Sequence, residues 1–335
     1  MKHLTAFLVL ATTAACASTT MSNPPDSAPL PLGSFLDVPI VPIADVAIEI
    51  HVPGDPDFLD VFDEESAWIM NPSTHAVELV SKEGVIGSVE VPSPIAATVM
   101  GFGSLWVANS MGRRAGSNIY RIDPQTREVQ AIVDVPIVGY ESSMAIAGGM
   151  LWVLSDQEGT LSYIDPRTNL LAGRVQVKPN SYGLAAGFGS VWVSNTGGWR
   201  GTIPGSLQRV DANAKVVIAT IPVGTKPLFL AAGEGGVWVI NQGEGTVSRV
   251  DPSTNQVAAT IEVGVDGSGG DIAVGYGKVW VRASKVLLSV IDAETNQVVQ
   301  RYGPTAGSGG VRVGHGGAWI TAHDTKQVWR LPVSE

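Results

Sequence analysis

Seven tryptophans return along the chain inside one short pattern. Its strict form is Trp-Val-x-Asn, at Trp106–Asn109, Trp192–Asn195 and Trp238–Asn241, and looser copies begin at Trp68, Trp152, Trp280 and Trp319. Successive tryptophans are 38, 46, 40, 46, 42 and 39 residues apart. Self-similarity at about 40 to 50 residues is the period of one four-stranded propeller blade, a unit that buries its faces only against the next copy. Seven copies predict an all-β, seven-bladed β-propeller. One such ring accounts for residues 43–335 as a single domain, because closed β architectures absorb lengths that would otherwise suggest two domains.

The most complete copy runs from Leu228 to Val263 and contains four apolar or alternating runs, Leu228–Ala232, Val237–Asn241, Thr246–Asp251 and Gln256–Val263, each ended by a turn signal. These are strands a to d of a blade. The c-to-d connection is Asp251-Pro252-Ser253-Thr254-Asn255, with relatives at Asp123, Asp165 and Asp292. Asp at the first turn position accepts backbone N–H groups and Pro presets φ, so these aspartates are structural. The Gly-x-Gly steps at Gly101, Gly187, Gly233, Gly275 and Gly314 all fall at the a-to-b hairpin with no helix behind them, which excludes a phosphate cradle. A tryptophan fixed in every strand b fills the wedge between diverging blades.

After Trp319 only one more strand fits, Lys326–Leu331, so the last blade lacks its d strand. The alternating stretch Asp45–Val52 precedes the first strand a and is expected to supply it, sewing blade 7 from both ends of the propeller and leaving no open sheet edge.

The chain opens with Met1-Lys2-His3 and a short apolar run, Leu4–Ala11, which reads as an export signal over residues 1–15. Thr13-Ala14-Ala15-Cys16 places the one cysteine after small residues and resembles a bacterial lipobox, with Thr13 where an aliphatic residue is commoner, so Cys16 is the expected lipidation point. Residues 16–42, rich in Ser, Thr and Pro, read as a disordered tether, and the expected location is the periplasm or the outer membrane, touching the bilayer through the lipid alone. Removing the signal deletes Lys2 and no acid, taking the formal charge from −10 to −11. An acidic body without a basic run excludes nucleic acid as a partner class. An envelope protein or a small ligand is the expected partner, and the ring is expected to be a monomer.

The repeat resembles the YVTN/YncE-type propellers, on Asp271-Ile272-Ala273-Val274, Trp238–Asn241, Val247-Ser248-Arg249-Val250-Asp251 and Val257-Ala258-Ala259-Thr260-Ile261. That resemblance implies the architecture over about residues 43–333 and no particular activity. A narrower likeness is to the streptogramin B (virginiamycin B) lyases, seven-bladed rings whose metal-assisted elimination uses histidines in Pro-His and glutamates in Trp-Phe-Thr-Glu contexts. Here Pro227-Leu228 and Trp238-Val239-Ile240-Asn241 stand at those places, so that chemistry does not carry over residue by residue.

Propellers bind on the face formed by the d-to-a and b-to-c loops. Two b-to-c loops are enlarged, Asn109–Asn118 with Arg113 and Arg114, and Asn195–Ser206 with Trp199 and Arg200; the d-to-a segments between them hold Tyr140, Glu141, Asn180 and Tyr182. Arginine and aromatic groups at a channel mouth suit a ligand with an anionic group and a flat or sugar-like body; the plainer alternative is a pair of solvated loops. Asn71, Asn109, Asn195 and Asn241 end strand b, either shaping turns or offering a polar ring to ligand hydroxyls. His75, His323 and Asp324 sit in b-to-c loops of neighbouring blades, with Asp57 nearby, and form a candidate acid/base cluster or a site for Mg or another divalent metal; otherwise no metal or cofactor is expected. A binding or scaffold module is the first reading, and a metal-assisted lyase or hydrolase the alternative.

Overall fold

The protein, seen in a computed structural model, is described over residues 35–92, 94, 97–109, 118–138, 141, 144–198, 203–264 and 269–333. Seven antiparallel sheets follow one another as residues 59–90, 97–134, 144–176, 181–225, 227–262, 271–303 and 311–332, here blades 1 to 7. Each is a meander whose strands a to d are hydrogen-bonded in chain order, and strand a of each packs near strand a of the next. The expectation of a seven-bladed ring is met.

Closure follows the count of strands. Blade 7 takes only Val311–Gly314, Gly317–Ala322 and Gln327–Pro332 from the C-terminal part of the chain; strand β2 (Ile48–His51) pairs antiparallel with the last of these, Ile48 opposite Arg330 and His51 opposite Gln327. Ile50 and Val52, both buried, pack with Leu59 and Ile69 of blade 1 and with Trp319 and Val328 of blade 7. The closing segment therefore contributes apolar surface to the seam as well as hydrogen bonds.

The tether boundary at residue 42 needs correction. Phe35–Asp37 form a 3-10 turn, and strand β1 (Ile40–Pro42) adds a fifth strand to blade 6, parallel to Gln297–Gly303. Buried Arg301 organises this start: its Nη1 donates to the carbonyls of Phe35 (3.3 Å) and Val38 (3.2 Å), and its guanidinium lies 5.2 Å from the Phe35 ring centroid. Pro42, lacking an N–H, is tolerated because β1 is an edge strand.

The tryptophans lie between blades as expected, six of them fully buried and Trp280 4% exposed. The indole N–H of Trp106, Trp152, Trp192, Trp238 and Trp280 donates to the carbonyl five residues earlier, 3.0–3.2 Å away, which pins strand b to the a-to-b hairpin. That hairpin has two consecutive left-handed residues, as at Phe102 (φ 54) and Gly103 (φ 70), the geometry of a type I′ turn. On the outer side of Trp106, Trp192 and Trp238 lies an arginine from strand c, with Arg121, Arg209 and Arg249 at 4.8–5.0 Å from the ring centroid. Each arginine then reaches the next blade, where it donates to an asparagine in the c-to-d turn: Asn169 (3.1 Å), Asn255 (3.0 Å) and Asn296 (2.9 Å). The same turns carry the structural aspartates, for example Asp123 accepting from Gln125 and Thr126 at 2.9 Å. Those amide bonds hold the Asp123 carboxyl below the ordinary carboxylate range.

Candidate functional site: the charged channel

Strand a of each blade faces the axis, so one substitution there in one repeat changes the lining of the channel. The residue of strand a opposite the tryptophan is Val99, Ala145, Ala185, Ala231 or Ala273 in blades 2 to 6. In blades 7 and 1, neighbours across the seam, it is Arg312 and Asp60. A second column breaks in blade 6: the third residue of the tryptophan pattern is Met70, Ala108, Leu154, Ser194, Ile240 and Thr321 elsewhere, but Arg282 there, with Asp271 opposite it. Four charges thus occupy positions that the repeat reserves for apolar or small residues.

Asp271 is saturated. Its Oδ1 accepts from the Ile272 amide (2.9 Å), and its Oδ2 accepts from the Val311 amide (3.0 Å) and from the Arg312 guanidinium. Arg282 is fully buried and donates from Nε to the Thr321 carbonyl (3.1 Å) and from Nη1 to the carbonyls of Ala283 and Leu287, while its Nη2 has no partner among the described residues. Burial lowers its pKa to about 10, with Asp324, Asp271 and Asp57 opposing, so it stays charged at neutral pH.

Above this layer, at the end of the ring where d-to-a and b-to-c connections lie, Asp57, Glu141, Tyr182, His323 and Asp324 gather. Asp57 precedes strand a of blade 1 and is held by its backbone, its amide donating to the Met70 carbonyl (2.9 Å) and its carbonyl accepting from Thr321 Oγ1 (2.7 Å). Burial, then Glu141 and Asp271, push its carboxyl up to about 8 against the pull of Arg282, which leaves it protonated at neutral pH. Glu141 is also raised by burial; His323 and a hydrogen bond donated by the Tyr182 hydroxyl work in the other direction. His323 Nδ1 lies 2.8 Å from Asp324 Oδ1, and Asp324 Oδ2 accepts from the Ser308 amide at 3.0 Å. A neutral carboxyl, an ionisable carboxylate and an imidazole paired with a carboxylate thus face one opening, a set able to donate and accept protons or to bind a polar ligand.

The placement of the residues singled out in the sequence is uneven. Glu141 and Tyr182, read there as part of a ligand site on blades 2 to 4, meet His323, Asp324 and Asp57, read there as a separate group on blades 7 and 1, because every strand a converges on one narrow axis. His75 does not join them as a metal group: it is exposed, closes the b-to-c turn of blade 1 in left-handed backbone (φ 56), and accepts from the Val91 amide (2.9 Å). Among the described residues no three of His, Cys, Asp and Glu converge in a group that could hold a metal ion. Asn109 and Asn195 are corrected as ligand contacts. They are 2% and 5% exposed, and their side chains bind backbone, Asn109 Oδ1 accepting from the Asn118 amide (2.7 Å), and Asn195 donating to the Pro179 carbonyl and accepting from the Gly197 amide (3.1 Å). Asn71 likewise bridges Asp55, Pro53 and Glu78. Arg113, Arg114, Tyr140, Trp199, Arg200 and Cys16 lie outside the described residues.

A family model for a repeat of unknown function (DUF6923) matches residues 80–213. Solved structures show the wider likeness. Virginiamycin B lyase from Staphylococcus aureus superposes with a TM-score of 0.69 at 13% identity, covering 86% of this chain and 99% of the lyase. Hydrazine synthase of Kuenenia stuttgartiensis gives 0.68 at 12% identity, over 84% of this chain and 96% of that one. The computationally designed Ika8 protein gives 0.60 at 13%, covering 83% of each chain. At such identities the likeness shows fold alone. No curated protein sequence matches the chain.

Proposed function

We propose that this protein is a binding propeller of the YVTN/YncE kind, held in the bacterial envelope by a lipid on Cys16, that takes a small polar ligand at the channel mouth. The observation that supports this reading is the convergence of Asp57, Glu141, Arg282 and His323 out of bulk water. A purely scaffolding ring has no use for half-buried carboxyls whose charged forms are penalised by burial, and such groups cluster where a ligand compensates them. The residues gathered at the mouth are rich in acids and favour a ligand with hydroxyl or amine donors.

Acid/base catalysis at the same opening is the second reading. Asp57 supplies a proton donor at neutral pH, the His323–Asp324 pair faces the same opening, and a catalytically inactive form of the structurally similar virginiamycin B lyase was solved with quinupristin.

A thermal-shift panel of neutral sugars, small organic anions and small amines tests the binding reading. The expected outcome is at least one compound whose affinity falls tenfold or more in Glu141→Gln combined with Tyr182→Phe, and stays unchanged in His315→Ala at an a-to-b turn on the opposite face. Binding that ignores the mouth substitutions, or no binding at all, overturns it. Retention of a Cys16→Ser chain in the membrane fraction would remove the anchor.

A further inference from the structure

Below the mouth the channel widens into a cavity of ≈ 220 Å³ lined by strand a of all seven blades. Apolar side chains including Met144, Leu184 and Leu230 line one part of it, and the polar side chains on it are Asp60, Thr98, Asp271 and Arg312. Asp271 already has its donors, the Arg312 guanidinium and the backbone amides of Ile272 and Val311. What is left over is Asp60. The Met100 amide and the Thr98 hydroxyl face its carboxyl, yet Asp60 Oδ2 and Thr98 Oγ1 are both buried and neither makes a hydrogen bond of normal geometry among the described residues; Thr98 is 6% exposed. Burial pushes the Asp60 carboxyl above its ordinary range while Arg312 opposes. A buried acceptor without a donor costs about 1–3 kcal/mol, more when charged, and persists where something complementary arrives.

We propose that this cavity binds a small organic ammonium ion, with its N–H groups on Asp60 and Thr98 and its aliphatic body against Met144, Leu184 and Leu230. The assignment rests on the reading that the channel is where this propeller binds, and it names the ligand class. Charge selects the head group. The cavity presents two carboxyls, Asp60 and Asp271, against the one guanidinium of Arg312. An ammonium offers three donors to the orphaned acceptors. Size and wall select the body. The cavity is several times the ~30 Å³ that a water occupies in the liquid, so a bare ion leaves most of it unfilled, while Met144, Leu184 and Leu230 offer an aliphatic body a surface to cover.

The experiment compares n-butylammonium with its near-isosteres n-butanol and butyrate at constant ionic strength, by calorimetry and by methyl chemical shifts of Leu184 and Leu230. Butylammonium is expected to bind at least tenfold more tightly than either isostere and to move both methyl signals. Asp60→Asn is expected to abolish that preference and Thr98→Val to weaken it severalfold. Equal binding of butanol, or an ammonium preference that survives Asp60→Asn, overturns the proposal. Should Asp60→Asn fail to fold, the wild-type methyl shifts decide: unmoved leucines overturn it. Tighter binding of butyrate or butanol that moves the same leucines leaves the channel reading standing and removes the ammonium; no binding by any of the three removes the ammonium assignment while the mouth panel still tests the channel.

Discussion

Replacing Ile50 and Val52 together by alanine is expected to destabilise the ring by about 4–6 kcal/mol in urea unfolding, the sum of two buried large-to-small substitutions at roughly 2–3 kcal/mol each. The two side chains, 2% and 1% exposed, are the part of the closing strand that reaches both blade 1 and Trp319. A cost of that size is a large fraction of the 5–15 kcal/mol that typical domains possess. Ile48 on the same strand is 41% exposed and provides the control; Ile48→Ala is expected to stay within about 0.5 kcal/mol. If the double substitution costs less than about 1 kcal/mol, the closing strand does not hold the ring. Opening the seam also frees the edge of Gln327–Pro332, so the destabilised chain is expected to associate through that strand at high concentration.

Arg282→Met is the second large effect. The substitution keeps volume and removes the one buried cation that faces Asp57, Asp271 and Asp324 together. Removing one partner from a buried charge group costs on the order of 3–5 kcal/mol. Part of this is independent of pH, because the carbonyls of Thr321, Ala283 and Leu287 lose their donor. The rest depends on pH with a definite sign. Arg282 holds the neighbouring carboxyl of Asp57 down, so without it the folded state keeps its proton to still higher pH than the unfolded chain does. Folding then binds protons, and stability falls as pH rises through the window between the unfolded and folded pKa values. The gap between wild type and Arg282→Met is therefore expected to stay level up to about pH 7, where Asp57 is protonated in both, to widen as pH rises through about 8, and to lose that widening when Asp57→Asn is added. A gap that is constant with pH would show that Arg282 acts through its hydrogen bonds alone.

The architecture was legible because propeller physics is periodic. A tryptophan in strand b of each blade, a two-residue hairpin after strand a in blades 2 to 7 and an Asp-led turn before strand d in blades 2 to 6 each leave a local mark, and a missing strand d in blade 7 could be counted. Strand β1 left no such mark: three residues pair in parallel with a strand some 260 positions away, inside a Pro-rich stretch whose average composition argues for disorder. The site was half legible. Glu141, Tyr182, His323, Asp324 and Asp57 were visible as chemistry-bearing loop residues, but their meeting was hidden, since blades 3 and 7 are not neighbours around the ring and touch only through the axis. Asp60, Asp271, Arg282 and Arg312 were visible in another sense, as charges in columns where the other blades carry mainly apolar or small residues. A search for motifs passes over them, whereas aligning the seven repeats and asking which column breaks finds them. The asparagines ending strand b misled as ligand contacts because a strand end suggests exposure, while here the preceding d-to-a segment folds over Asn71 and Asn195, and Asn109 is engaged by the Asn118 amide of strand c.

A carbon-detected NMR titration of the side-chain carboxyls tests most directly whether the channel mouth is a desolvated, coupled site. One aspartate is expected to titrate near pH 8 and to disappear from the spectrum in Asp57→Asn, while Asp123, Asp211 and Asp251 in the c-to-d turns titrate below the ordinary carboxylate range. If instead every carboxyl has finished titrating by about pH 5, the mouth is an ordinary solvated rim and the functional reading falls.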